Sequence, residues 1–288
     1  MAHAHNEQAD LLLDKEFAVL DHGFVRLIDY MGSDDAIVQA ARVSYGEGTK
    51  KLQEDRGLIR YLLRHKHTTP FEMVEFKFHV KLPIFVARQW IRHRSANVNE
   101  YSGRYSIMKE KFYLPPGADI QKQSKNNKQG RAGELPDELR GEFTQYLESS
   151  QKDAYEKYMA FIDQGVAREL ARINLPLSLY TEWYWKIDLH NLFHFLKLRM
   201  DPHAQKEIRV YAEVMSDIVR TVCPMAHEAF EDYSLKALAF SGPELAVLKE
   251  HLVSVTTDIE ALAAKGLSKR EAREFVDKIN QLNELDGD

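Results

Sequence analysis

The residues from Val74 to Leu82 alternate without interruption. Val74, Phe76, Phe78, Val80 and Leu82 are apolar, and Glu75, Lys77, His79 and Lys81 between them are polar. Successive side chains of a strand point to opposite faces, so this pattern predicts a strand with one buried and one wet face. Pro83 ends it and suits the first position of a helix over Ile84–Arg92. In that helix Gln89 and Arg92 are three residues apart and share a face. The chain then turns polar, so a half-buried strand and an apolar helix deliver a polar segment to a fixed place.

The segment of interest runs Gln89-Trp90-Ile91-Arg92-His93-Arg94-Ser95-Ala96-Asn97-Val98-Asn99-Glu100-Tyr101-Ser102-Gly103-Arg104-Tyr105-Ser106. Arg92, Arg94 and Arg104 bring guanidiniums, which suit bidentate recognition of phosphate and carboxylate. Ser102-Gly103 adds a hydroxyl and a backbone able to approach a ligand closely. These residue types describe an anion-binding loop for a phosphorylated ligand. The competing reading is a solvated basic loop. Against it, Arg92 and Arg94 follow Ile84, Phe85, Val86, Trp90 and Ile91 and so are tied to a buried element. Asn97, Asn99, Glu100 and Ser102 are also side chains that position ligands.

The charge balance makes the arginine cluster local. The 288 residues include 39 Lys and Arg against 44 Asp and Glu, a formal net charge of −5. A general nucleic-acid binder carries a basic balance or a long basic patch, so no nucleic-acid partner is expected. The length suffices for one large or two small domains. Cys223 is the single cysteine, which excludes an intramolecular disulfide and a cysteine-based zinc cluster. The stretch from Met1 to Asp10 lacks a basic segment followed by an apolar one, so no signal peptide is expected. No apolar run reaches the roughly 18 residues of a membrane span. A cytoplasmic protein without a membrane partner is the expectation.

Residues 1–16 read as a poorly ordered lead-in with incidental histidines at His3 and His5. Phe24–Tyr30 is a short strand. Ser33 looks like an N-cap, with Asp34 and Asp35 favouring the start of a helix that stops near Gly46. A second helix over about 51–65 places Leu58, Ile59, Leu62 and Leu63 on one face. Residues 115–135, poor in apolar side chains, read as a mobile break. A long helix is expected from Asp137 to Asp163, closed by Gly165, then a short helix over Ala167–Arg172 ended by Pro176. A second alternating strand sets Thr181, Trp183, Trp185 and Ile187 against Tyr180, Glu182, Tyr184 and Lys186. Asp188 caps the next helix, to about Met200, and Asp201-Pro202 begins another that Pro224 stops. Residues 241–288 read as a helical extension for packing or subunit contact. Ser241…Glu244 and Ser268…Glu271 have capping-box spacing, and Gly266 separates two helices. The main domain is expected over 17–240.

Other residues could carry chemistry. Arg172 and Arg199 lie in apolar settings and need a polar partner, either a core carboxylate or a ligand. His190 and His194, four apart on one helix, could with His203 hold a metal. Asn191 follows His190, however, so the HExxH pattern fails, and no metal is expected. His65 and His67 precede Thr68-Thr69-Pro70 in what reads as a polar turn. Cys223, at the end of an apolar helix, reads as a buried, inert thiol. No strand-linked GxGxxG and no GxxxxGK[ST] is present, so neither a Rossmann dinucleotide site nor a P-loop is supported.

Arg92-His93-Arg94, seven residues, then Ser102 resembles the RHRx7S signature of the flavin-dependent thymidylate synthases. Further blocks resemble that family in the same order: Arg42-Val43-Ser44, His67 to Glu72, Phe85 to Trp90, Asn99 to Ser106, Ala171-Arg172, Leu175-Pro176-Leu177, and Leu198-Arg199 through Ala204-Gln205. The coverage runs from about residue 20 to about 235. The resemblance implies an α+β fold, an antiparallel sheet flanked by helices, assembled as a homotetramer with active sites shared between subunits. It implies conversion of dUMP to dTMP with methylenetetrahydrofolate, NADPH and bound FAD. Arg199 would be catalytic, stabilising negative charge as the pyrimidine N3 loses its proton. Gln89, Arg92, Glu100, Ser102, Gly103, Arg104, Arg172 and Arg199 would hold the nucleotide. Thr69, Arg92, His93, Arg94, Glu100, Asp188, His190 and His194 would hold the flavin, with Thr69 favoured over Glu72. No cysteine adduct is expected. Two readings from other classes stand beside this one: an RNA- or nucleotide-binding module using the arginine loop without catalysis, and a metal-dependent hydrolase built on His190, His194 and His203.

Overall fold

The structure is a computed structural model describing residues 6–43, 52–125, 128–249 and 255–284. The chain divides into two compact units, Met1–Lys236 and Ala237–Asp288. The first unit opens with α1 (Glu7–Asp10), β1 (Glu16–Val19), β2 (Gly23–Met31), α2 (Asp34–Val43) and α3 (Leu52–Arg64). A 3-10 turn, Thr69–Met73, leads into β3 (Glu75–Pro83), α4 (Ile84–Trp90) and β4 (Asn97–Glu100). Then come β5 (Gln121–Gln123), β6 (Arg131–Glu134), α5 (Asp137–Asp163) and α6 (Arg168–Ala171). The unit continues with β7 (Tyr180–Asp188), α7 (Leu189–Arg199), α8 (Lys206–Val222) and α9 (Pro224–Phe230).

Five strands form an antiparallel sheet in the order β1-β2-β3-β7-β4. With its helices this is the expected α+β architecture. The two alternating strands are neighbours, and their register sets apolar against apolar: Phe76 opposite Ile187, Phe78 opposite Trp185, Val80 opposite Trp183. All of these side chains are buried. On the other face Lys77 stands opposite Lys186. Cross-strand like charges repel, and each lysine has an acid: Lys77 pairs with Asp29 at 3.2 Å and Lys186 with Glu75 at 2.8 Å.

The buried face is covered by α4, α7 and α8. Trp90, fully buried at the end of α4, lies edge-on to Trp183 and Trp185, with ring centroids at 5.7 and 5.2 Å. Phe195 of α7 is 4.7 Å from it and Tyr211 of α8 5.9 Å. Aromatic pairs at such spacings add to the hydrophobic gain from their area, so Trp90 ties three helices and the sheet together.

Several expectations are corrected. Residues 6–16 are part of the fold: Ala9 is buried in the core, and the Tyr30 hydroxyl donates to Asp10 at 2.6 Å. His3 and His5 lie outside the described residues, as do Ser44, Gly46, Asn126 and Asn127. Helix α4 ends at Trp90, two residues before Arg92. Asn97–Glu100, read as loop, pairs with β7 as an edge strand, because backbone hydrogen bonding to Tyr184 and its neighbours does not require apolar side chains. The 115–135 break contains the β5–β6 hairpin. It is anchored by charge as well as by the buried Ile120: Arg131 donates to the buried Glu207 at 2.8 Å, and Lys206 pairs with Asp119 at 2.5 Å. Helix α8 begins at Lys206, later than Asp201-Pro202 suggests, because the Asp201 carboxylate accepts from the His203 N–H at 2.8 Å and closes a turn there.

The second unit holds α10 (Gly242–Lys249), α11 (Ile259–Ala263) and α12 (Lys269–Glu284). Both capping-box spacings form. Ser241 N donates to Glu244 at 2.7 Å, and Ser268 N donates to Glu271 at 2.8 Å.

Asp34 lies in the first turn of α2, as expected, and its carboxylate also caps another helix. Its oxygens accept from the N–H groups of Met225 and Ala226, at 2.8 and 2.9 Å, at the start of α9. Burial raises its pKa from the ordinary 3.8 to about 6, outweighing those two hydrogen bonds. Replacing Asp34 with Ala is expected to cost about 1–3 kcal/mol, since two buried donors lose their acceptor. Between pH 3.8 and about 6 the folded chain keeps a proton that the unfolded chain releases. The stability linked to that proton is therefore complete at the acid end and is lost as pH rises through about 6. In denaturant titrations across this window, Asp34→Asn should be less pH-dependent than the parent.

Candidate active site

Helix α4 carries the chain back under the sheet and releases Arg92-His93-Arg94 beside the far end of α7. There the Arg199 Nε–H donates to His93 Nε2 at 3.0 Å. The His93 ring stands edge-on to Phe195 at 4.9 Å and to His194 at 6.0 Å. Burial, then the positive Arg199, then His194 push the His93 pKa down to about 4, so the imidazole is neutral at physiological pH. Burial also lowers the Arg199 pKa. Arg92 and Arg94 are exposed and find no carboxylate among the described residues. Gln89, half-buried on α4, donates to the Gln205 side-chain oxygen.

A second grouping forms around Gly103. A Cβ there would lie 2.7 Å from Met108 Sδ, 3.2 Å from Arg172 Cδ and 3.3 Å from Arg172 Nη1. The Arg172 side chain is therefore laid against bare backbone, which only glycine permits. Arg172 finds no acid among the described residues, so the core salt bridge weighed as its alternative is not formed. Ser102 Oγ accepts from Arg104 N at 3.3 Å, and Arg104 pairs with Glu169 at 3.2 Å. Arg168 donates to the Tyr105 carbonyl at 2.7 Å. Glu100, two residues before Ser102 at the end of β4, accepts from the Thr181 hydroxyl of the neighbouring β7 at 2.7 Å.

Thr69 stands apart from both groupings. It lines a largely apolar cleft of about 530 Å³ with Leu58, Tyr61, His67 and Met73. Asp188 and His190 begin α7 at the end of β7. Asp188 caps its helix as expected, accepting from Asn191 N at 2.9 Å and from Asn191 Nδ2 at 2.7 Å. Each of its oxygens thus already has one partner within the chain. His190 is half-buried and His194 exposed. His203 pairs with Asp201 at 2.9 Å, and no three His, Cys, Asp or Glu side chains gather as a metal-ligand set among the described residues. No described helix is long and apolar enough to cross a membrane.

Sequence reasoning missed Glu169, Thr181 and the Gln89–Gln205 bond. No spacing rule links a residue to partners so far along the chain. Gln205 falls within a block used for the family resemblance but without a role.

An arginine laid on a glycine, with further guanidiniums that lack carboxylates among the described residues, marks this α+β protein as one suited to an anionic ligand. Comparison with known proteins narrows this reading. A family model described as Thymidylate synthase complementing protein matches residues 26–225. A flavin-dependent thymidylate synthase of Treponema denticola is 58% identical over 268 residues, spanning 93% of this chain and 98% of that protein. One from Wolbachia pipientis wMel is 58% identical over 244 residues, spanning 85% and 86%. Among solved structures, a UMP/dUMP methylase, PolB, from Streptomyces cacaoi bound with 5-Br dUMP superposes with a TM-score of 0.70. It is 33% identical, and the match covers 76% of this chain and 99% of that one. The chain belongs to the flavin-dependent thymidylate synthase family.

Gly103→Ala should push aside the buried Met108 and, with it, Arg172. Titration with a nucleoside monophosphate should show affinity about tenfold weaker, a loss near 1.4 kcal/mol, together with a lowered melting temperature.

Proposed function

We propose that this chain converts dUMP to dTMP by reductive methylation. In balance, dUMP, methylenetetrahydrofolate, NADPH and a proton give dTMP, tetrahydrofolate and NADP. The observation that carries the reading is the set of guanidiniums left without carboxylates: Arg92, Arg94 and Arg172, with Arg199 bonded to a neutral imidazole. In a structural role each would find an acid; unpaired, they suit phosphate and a developing anion.

The donor set fits FAD. Arg92, His93 and Arg94 would hold it, the two guanidiniums offering uncancelled charge to an anionic cofactor, and Thr69, Asp188, His190 and His194 would be further contacts. FAD when bound, reduced by NADPH, supplies the hydride that turns the transferred methylene into a methyl group. Gln89, Ser102, Gly103, Arg104 and Arg172 hold the nucleotide and its phosphate, and Glu100 orients the ligands. Arg199 faces the pyrimidine edge and stabilises negative charge as N3 gives up its proton, which makes C5 nucleophilic.

Cys223 takes no part. It is fully buried, and burial, then Asp34, raises its thiol pKa well above the ordinary value, so the thiolate is suppressed. The assembly is assigned as a cytoplasmic homotetramer with sites shared between subunits. Ile91, Val98, Tyr105 and Leu198, large apolar side chains within or beside the site, are exposed in the single chain, as a subunit contact requires.

The purified protein should show a flavin absorption band that bleaches under anaerobic NADPH, with the rate responding to dUMP. Absence of a flavin, with no binding of added FAD, would sink the reading. Arg199→Ala should keep that band and lose at least ~10²-fold in dTMP formation. Mixing its chains with Ser102→Ala chains should restore activity in hybrids; no recovery would count against shared sites. Cys223→Ala should turn over at close to the parent rate, and loss of activity in a folded, assembled variant would reopen the thiol route.

A further inference from the structure

The partner of Arg199 is chemically unusual. A half-buried guanidinium ordinarily meets a carboxylate, which satisfies its donors and cancels its charge. Here the acceptor is His93 Nε2 at 3.0 Å. The imidazole is itself fixed: Phe195 stands at its edge, 4.9 Å between centroids, and Trp90, three residues earlier, anchors the end of α4. With Nε2 accepting, the ring proton sits on Nδ1. The bond takes up only the Nε–H of Arg199. Both Nη groups find no partner among the described residues, and they form the fork that recognises a planar edge.

We propose that His93 is a positioning residue for Arg199, a neutral acceptor that aims the guanidinium while leaving its positive charge uncancelled. This goes beyond a flavin-holding role and rests on the reading that Arg199 faces the pyrimidine. The charge matters because a developing N3 anion is stabilised by a full positive charge nearby, and a carboxylate at the same place would offset it. A neutral acceptor separates two functions that a carboxylate would couple, orientation and charge cancellation.

The test uses the holoenzyme with excess FAD and the probe 5-fluoro-dUMP, whose fluorine NMR shift reports ionisation at N3. In the parent protein the bound probe should ionise at lower pH than the free nucleotide. His93→Gln keeps a neutral acceptor and should keep that downward shift, with kcat within about tenfold of the parent. His93→Glu keeps an acceptor but adds a negative charge. It should return the bound probe to the titration of the free nucleotide and lower kcat about a hundredfold, with a smaller change in KM. Gln and Glu variants that titrate the probe alike would overturn the proposal, since a purely structural role does not distinguish the two by charge. Arg199→Ala is the control for the underlying reading. If it titrates the probe as the parent does, Arg199 does not face the pyrimidine. If it abolishes the shift while the Gln and Glu variants behave alike, only the role of His93 fails.

Discussion

Trp90 holds the site in register with the fold. It is the last residue of α4, and it is fully buried against Trp183, Trp185, Phe195 and Tyr211. Those four rings belong to β7, α7 and α8. The next residues out are Ile91, Arg92 and His93, so the aromatic cluster fixes where the arginine segment leaves the core. A core packed to crystal-like density resists displacement. That rigidity passes directly to His93 and, through one hydrogen bond, to Arg199 on a different helix. The site's precision is thus borrowed from the core rather than from the polar segment.

Electrostatically the protein treats its cations in two ways. On the structural side arginines and lysines are paired: Arg131 with Glu207, Lys206 with Asp119, Lys186 with Glu75, Arg42 with Asp55. Around the site, Arg92, Arg94 and Arg172 lack carboxylates among the described residues, and Arg199 has an imidazole instead. Arg104 is intermediate, bonded to an exposed Glu169 whose contribution solvent screens. Paired cations hold elements together, while unpaired ones keep their field for a ligand.

The buried polar groups at the edges follow a similar economy. Asp34 spans from α2 to the first turn of α9 and satisfies two backbone donors that would otherwise lack partners. Glu207 collects the Tyr113 hydroxyl and Arg131, which ties the β5–β6 hairpin to α8. At Asp34 the carboxylate adds to apolar packing, since Ile37 and Val38 of α2 share a buried cluster with Ala226, Ala229 and Phe230 of α9.

Local periodicity made much of the fold legible in the chain. The alternation through Val74–Leu82 and Thr181–Ile187 identified both central strands and the faces they bury, because a strand's side chains alternate whatever its neighbours are. Asp188 was readable as a cap, and Ser241 and Ser268 as capping boxes, because those bonds close within three residues. The arginine segment stood out as suited to an anion because guanidinium, hydroxyl and glycine suit one wherever they sit. Other features had no local signal. The pairing of β4 with β7, the fold of residues 6–16, the Asp34 cap on α9, the seat of Arg172 on Gly103 and the His93–Arg199 bond each join residues distant in sequence. Tertiary packing alone brings such residues together, so the amino-acid sequence by itself determined which side chains were available for chemistry, and the tertiary structure decided which of them would meet.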